Sequence, residues 1–259
     1  MTSIPINDDT EWLEADGLGG FASGTTSGLR TRRYHALLLA ATTPPTGRMV
    51  LVNGVDAWIE PATPAQGGRG HENLTRQRYR PGVVVPEQGA TLESFTLEPW
   101  PTWIYRLADG TRIEHEVFVP ARSAFVALRW KVLDGPAPLI LKVRPFLSGR
   151  DSHATHHEND AFRFGAEVEG DRVRWRPYEG VPDVTALSNG RYRTDPQWYR
   201  GFVYSEELAR GLDAEEDLGA PGIFTWDLSL GAAVLLLGAG DALPEGSDPA
   251  ALVTLLARR

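Results

Sequence analysis

Arg112-Ile113-Glu114-His115-Glu116-Val117-Phe118-Val119, followed shortly by Phe125-Val126-Ala127-Leu128-Arg129-Trp130-Lys131-Val132, decides the fold class. Successive side chains of a β-strand point to opposite faces, so a period of two predicts a strand with one dry face. Ile113, His115, Val117 and Val119 fall on one side of the first stretch. Val126, Leu128, Trp130 and Val132 fall on one side of the second. The same alternation recurs at 139–144 and 162–169. Asp109-Gly110 reads as the hairpin joining 103–107 to 112–119, and Gly170-Asp171 as the hairpin joining 162–169 to 172–176. Shorter apolar strands are predicted at 36–40, 49–52, 82–85, 92–97, 223–228 and 233–237. Helical periodicity is scarce. Turn signals roughly every 8–12 residues argue an all-β, antiparallel sandwich of broad sheets.

Two segments break this pattern. Residues 199–218 are acidic, aromatic and irregular, and read as one short helix flanked by loops. Ser247-Asp248-Pro249 reads as a helix start, with Leu252, Val253, Leu255 and Leu256 forming an apolar stripe. That stripe either folds back on the sheet or leads toward a further domain.

The chain has 259 residues, enough for one large domain. Its 34 acidic and 26 basic residues give a net charge of −8, opposite in sign to a nonspecific nucleic-acid or anionic-membrane binder. All basic residues except Lys131 and Lys142 are arginine, which reads as codon bias. With no cysteine, disulfides, thiolate catalysis and cysteine-ligated metals are excluded, and a cytoplasmic setting is expected. The polar start resembles no signal peptide, and the longest apolar run, 230–240, is too short to cross a bilayer.

Three clusters could carry function. Gly17, Gly19, Gly20, Gly24 and Gly28 precede Arg30, Arg32, Arg33, Tyr34 and His35. No Gly-Lys-Ser/Thr follows and no helix pattern succeeds it, so this is neither a phosphate loop nor a dinucleotide fingerprint. It reads as a Gly-rich loop crossing a sheet end, with no strand leading into it. Residues 150–160 hold His153, His156 and His157 beside Asp151, Glu158 and Asp160, a spacing that matches no standard zinc motif. They read as a polar loop, and neither metal nor cofactor is expected. Residues 198–217 hold Glu206, Glu207, Arg210, Asp213, Glu215, Glu216 and Asp217. Paired carboxylates there could act as general acid and base; a solvated acidic face is the plainer reading. Eight tryptophans supply flat rings suited to a core or to sugar faces.

The first cluster carries a family resemblance. Glu11-Trp12-Leu13, Asp16-Gly17-Leu18-Gly19-Gly20-Phe21-Ala22-Ser23-Gly24-Thr25, Gly28, Thr31-Arg32-Arg33-Tyr34-His35 and Leu37-Leu38 resemble the opening of bacterial and archaeal glycogen debranching enzymes (amylo-α-1,6-glucosidases). Arg144-Pro145-Phe146-Leu147, Arg150-Asp151, His153, then Tyr199, Glu206, Arg210-Gly211-Leu212-Asp213, Glu216-Asp217-Leu218 and Pro221-Gly222 resemble later blocks in the same order. The chain departs at Asp16, where Asn is expected, and at Ala36, where Gly is expected.

The resemblance implies a large antiparallel two-sheet super-sandwich with few short helices over 1–245. It implies that 246–259 begin a linker helix toward an (α/α)6 catalytic domain. That barrel would hydrolyse α-1,6-linked branch stubs and hold the catalytic carboxylates, so no catalytic residue is expected here. Asp16, Arg32, Arg33, Tyr34, His35, Arg150, Asp151, His153, Arg210 and Asp213 are the expected contacts to α-glucan (glycogen or maltooligosaccharide) or to the helical domain. The rival readings are a free-standing α-glucan-binding module, the sandwich domain of a related glucoside phosphorylase, and a small enzyme using the His/Asp or acidic cluster.

Overall fold

The alternation that predicts strands also sorts their side chains by burial. In the computed structural model Ile113, Val117, Val126, Leu128 and Trp130 are all buried in one core, with Arg112, Glu114, Arg129 and Lys131 on the other face. The structure describes residues 10–62, 70–135, 138–245 and 248–256. The polar start at 1–9 and Ser247 of the predicted helix cap lie outside them.

In chain order the strands are β1 (Glu11–Ala15), β2 (Phe21–Thr25), β3 (Ala36–Thr43), β4 (Thr46–Pro61), β5 (Glu72–Asn73), β6 (Gln77–Tyr79), β7 (Val83–Val85), β8 (Thr91–Thr96), β9 (Thr102–Arg106), β10 (Arg112–Phe118), β11 (Phe125–Asp134), β12 (Leu139–Asp151), β13 (Ala166–Glu169), β14 (Arg172–Trp175), β15 (Val184–Ser188) and β16 (Arg191–Val203). Helix α1 (Ser205–Ala209) then separates β16 from β17 (Glu215–Asp227), and β18 (Ala233–Ala239) precedes helix α2 (Pro249–Leu256). One sheet runs β1-β2-β3-β4-β12-β17-β16-β6-β7, with β5 paired to β4, and the other runs β13-β14-β15-β18-β11-β10-β9-β8. Strand neighbours are antiparallel throughout, so the broad sandwich expected from the turn spacing is what forms. Among the described residues no helix is long and apolar enough to cross a membrane.

The main core lies between the sheets. Leu51, Ala57, Leu141, Val143, Phe224 and Trp226 of the ten-stranded sheet meet Trp103, Ile113, Val117, Leu128 and Trp130 of the eight-stranded one. His115 belongs to this core. Its ring stacks on Trp130 (4.5 Å, 9°) and on Trp103 (5.3 Å, 24°), and its Nδ1 donates to the Arg129 carbonyl at 3.1 Å. Burial pushes this imidazole down to about 4.

Both sheets also bury part of their other face. Register shifts along β12, β16 and β17 turn Phe146, Phe202, Leu218 and Ala220 into a separate apolar cluster. Phe118, Phe125, Leu187, Leu236 and Leu243 form another, against which Ala250 of α2 packs. Asp248 caps α2 by accepting from Ala251 N–H at 2.8 Å. The side chains of Leu252, Val253, Leu255 and Leu256 lie outside the described residues.

Four local expectations are corrected. The Gly-rich stretch does have strands about it, β1 and β2. Strand β12 runs on through Pro145 to Asp151, because Pro145 falls where the ladder to β17 shifts register and its missing N–H costs no regular bond. Phe162 and Phe164 alternate but are not paired; Phe162 instead buries itself against Trp198, Tyr178 and His156. Helix α1 is flanked by strands on both sides rather than by loops.

Candidate functional site

The Gly-rich stretch folds as a hairpin, with Glu11 opposite Thr25 and Ala15 opposite Phe21. Gly17 and Gly19 take φ of 75° and 104°, backbone that side-chain-bearing residues disfavour. Asp16 closes this turn. Its Oδ1 accepts from Leu18 N–H at 2.6 Å and Gly20 N–H at 2.9 Å, and its own N–H donates to the Gly20 carbonyl at 3.1 Å. The structure thus places Asp16, buried, at the opposite end of β1 from Glu11. An asparagine oxygen makes the same two acceptances, so no amide donor is needed there. Asp16→Asn is expected to change stability by less than about 1 kcal/mol, while Asp16→Ala costs about 1–3 kcal/mol by orphaning two amides. Thermal unfolding of the two variants checks this.

Beyond β2 the chain crosses the sheet end over residues 26–35 and enters β3. Backbone and buried side chains fasten the crossing. The Thr31 carbonyl accepts from Glu206 N–H at 2.9 Å, and the Arg33 carbonyl from Arg150 Nη2 at 2.6 Å. His35 Nδ1 accepts from Thr31 N–H (3.1 Å) and Arg32 N–H (3.4 Å), which requires a neutral ring with its proton on Nε2, 3.4 Å from Glu11 Oε1. Burial is the main force holding His35 down, to about 4, with Arg32 and Arg30 adding to it and Glu11 opposing.

Fastened this way, the crossing turns Arg32, Arg33 and Tyr34 outward. Arg32 is hydrogen-bonded to Glu11, whose carboxylate raises its pKa, and lies 3.6 Å from Glu206. Glu206 also stands 3.6 Å from Arg210 at the end of α1. The Arg33 guanidinium lies 5.3 Å from the Tyr34 ring centre, and the Tyr34 hydroxyl meets His153 Nδ1 at 3.1 Å. His153 N–H donates to Asp151 Oδ1 at 2.7 Å. Exposed Leu208 and Leu212 flank Arg210, and Asp213, exposed, has no polar side-chain partner among the described residues. Arg32, Arg33, Tyr34, Arg150, Asp151, His153 and Arg210 therefore share one surface or its support. His35 lies beneath it, Asp213 beyond α1, and Asp16 apart.

The three histidines of the second cluster diverge. His153 serves Tyr34, His157 points toward Asp217 (3.8 Å), and His156 is buried, donating from Nδ1 to the Asp217 carbonyl (2.7 Å) and accepting the Tyr178 hydroxyl at Nε2 (2.6 Å).

Beneath the surface is a charged floor built from Arg150, Arg30 and Glu216, each named along the sequence, whose convergence with Asn53 the sequence did not show. Glu216 is fully buried. Asn53 Nδ2 donates to its Oε1 at 2.5 Å, and Arg150 Nε stands 2.7 Å from its Oε2 as an ion pair, off the line of a hydrogen bond. Arg150 also donates to the Asp151 carbonyl at 3.2 Å. Arg30 sits close enough to act on Glu216, with its guanidinium 4.7 Å from the Phe202 ring centre and Nη2 donating to Gln77 Oε1 at 3.1 Å. Burial pushes the Glu216 carboxyl up, and Arg150 and Arg30 pull it back. The acidic run is thus only partly a solvated face: Glu215 is exposed and Glu206 half-buried, whereas Glu216 and Glu207 are buried. A period of two running through Glu216, Leu218 and Ala220 was the available signal.

Comparison with known proteins decides the family. The profile described as glycogen debranching enzyme N terminal matches residues 10–235. The chain belongs to that family. This debranching-enzyme N-terminal domain matches no curated protein. Among solved structures, a bacterial glucoamylase complexed with acarbose is similar over the whole chain at 12% identity and a TM-score of 0.37, and the domain spans 37% of that protein's length.

Proposed function

We propose that this domain serves a longer glycogen debranching enzyme in which a helical (α/α)6 domain hydrolyses α-1,6-linked branch stubs. The face made by Arg32, Arg33, Tyr34, His153 and Arg210 docks on that domain and lines one side of the glucan site. Residues 246–259 begin the link to it, and a cysteine-free chain suits a cytoplasmic setting. The observation that carries the reading is the rigid crossing over residues 26–35. It holds two arginines and a tyrosine half-exposed over a buried ionic floor, beside exposed Leu208 and Leu212. Arg and Tyr with adjacent apolar side chains are the composition of an interface centre, and clefts between domains are common ligand sites.

Two outcomes test it. The isolated chain should release no glucose from branched maltooligosaccharides, and titration calorimetry should show millimolar or weaker binding. In the longer protein, Arg32→Ala with Tyr34→Ala should lower kcat/KM on a branched substrate by about 30-fold or more, the effect of losing an interface hot spot. Robust hydrolysis by the isolated chain, or an unchanged kcat/KM in the double variant, overturns the proposal.

A further inference from the structure

Behind the crossing, between the two sheets, lies a cavity of about 70 Å³ whose walls include Trp12, Arg30, Asn53, Trp103, Tyr105 and His115. Four of these walls are polar and incompletely paired. Tyr105, on β9, has no hydrogen-bond partner for its hydroxyl among the described residues, although it is only 6% exposed. His115, on β10, spends Nδ1–H on the Arg129 carbonyl, which leaves Nε2 as an acceptor. Arg30 Nη1 and Asn53 Oδ1 also lack partners. The amide of Asn53 is oriented by its donation to Glu216, so its free atom is the acceptor.

Tyr105 and His115 are diagonal neighbours on one face, since Ile113 stands opposite Tyr105 and Trp103 opposite His115. Such neighbours lie roughly 7–8 Å apart along the backbone, within reach of one bridging molecule. The wall offers a donor at Arg30, acceptors at His115 and Asn53, and a hydroxyl that does either. An anion would suit the arginine and leave two acceptors facing negative charge; a cation would do the reverse. Only a small molecule that both donates and accepts matches the set. At roughly 10–15 Å³ for each water, the space holds a small cluster and is too tight for a sugar ring.

We propose that this cavity is a site for ordered water, one molecule of which bridges the Tyr105 hydroxyl to His115 Nε2 while its neighbours hydrate Arg30 Nη1 and Asn53 Oδ1. The cluster then forms a polar joint between the Trp103–His115–Trp130 stack of one sheet and the base of the crossing that presents Arg32 to Tyr34. It fills a space that side chains alone leave polar, and it supplies Arg30 Nη1 with an acceptor beneath the surface.

A crystal structure of the chain at a resolution that shows ordered solvent, together with oxygen-17 relaxation dispersion on wild type and Tyr105→Phe, tests it. The expected result is water density within hydrogen-bond distance of both Tyr105 Oη and His115 Nε2, and loss of one long-lived water in Tyr105→Phe. A cavity without water density, one occupied by an ion, or identical dispersion amplitudes in the two proteins overturns the proposal. Should Tyr105→Phe fail to fold, the wild-type density decides alone.

Discussion

Replacement of Arg150 by methionine is expected to lower the unfolding free energy by about 3–5 kcal/mol. The cost does not arise from the value of the ion pair itself. It arises because Glu216 is fully buried and, without Arg150, loses its paired cation and keeps only Asn53, the Tyr204 hydroxyl and the more distant Arg30 against its charge. The substitution also strips donors from the Arg33 and Asp151 carbonyls, so the crossing that bears Tyr34 loosens along with the floor. Arg150→Met combined with Glu216→Leu should recover most of the loss, since two apolar side chains of similar volume replace two charges. Urea titrations of the four proteins, read as a double-mutant cycle, check this. A single-variant loss below about 1 kcal/mol, or a double variant no better than the single, would show that the floor is not what holds the crossing.

Acidification is expected to weaken the fold steeply between pH 6.5 and 4, with His115 as a principal cause. In the unfolded chain a histidine titrates near 6.5. In the folded protein burial between Trp103 and Trp130 holds His115 down to about 4. Within that window the unfolded chain binds the extra proton, so stability falls as pH falls, by about 3 kcal/mol in all from this residue. His35 acts in the same direction, because its Nδ1 accepts two backbone amides and must stay neutral, and His156 is also held down by burial. Glu216 acts in the opposite direction. Its raised carboxyl favours the folded state at acid pH, with a benefit lost as pH rises through its folded value. His115→Phe retains a ring for the stack and removes the titration. Denaturant midpoints at pH 7 and pH 4.5 should therefore lie closer together in this variant than in the wild type. Equal pH dependence in the two proteins would rule His115 out as a cause.

Much of this architecture was legible along the chain, and the exceptions share a cause. Alternation placed β10 and β11 well, because each has a partner on both sides and one dry face; β18 was legible instead as an apolar run, since both of its faces are buried. It failed at Phe162 and Phe164, whose alternation is just as clean. A period of two says which side chains share a face if a strand forms, and says nothing of whether another strand is there to pair. It failed in the other direction along β16, where register shifts near Thr194 and Tyr199 reset the faces and erase the period. Strand β1 was hidden for a simpler reason: Leu13 is 57% exposed and Trp12 is buried, so two apolar neighbours occupy opposite faces beside a dense run of glycines.

The candidate surface divides along the same line. Arg32, Arg33, Tyr34 and His35 are consecutive, so their shared neighbourhood follows from chain connectivity, and the hydrogen-bonding chemistry of each is a property of its residue type. That Arg150 and His153 meet them, that Glu216 of an acidic run is buried while Glu215 beside it is exposed, and that His115 lies in the core while His153 lies at the surface were decided by packing. A charge is tolerated inside only where opposite charge and hydrogen-bond donors converge on it. Asn53, Arg150 and Arg30 come from distant parts of the chain, and only the closed sandwich brings them around one carboxylate.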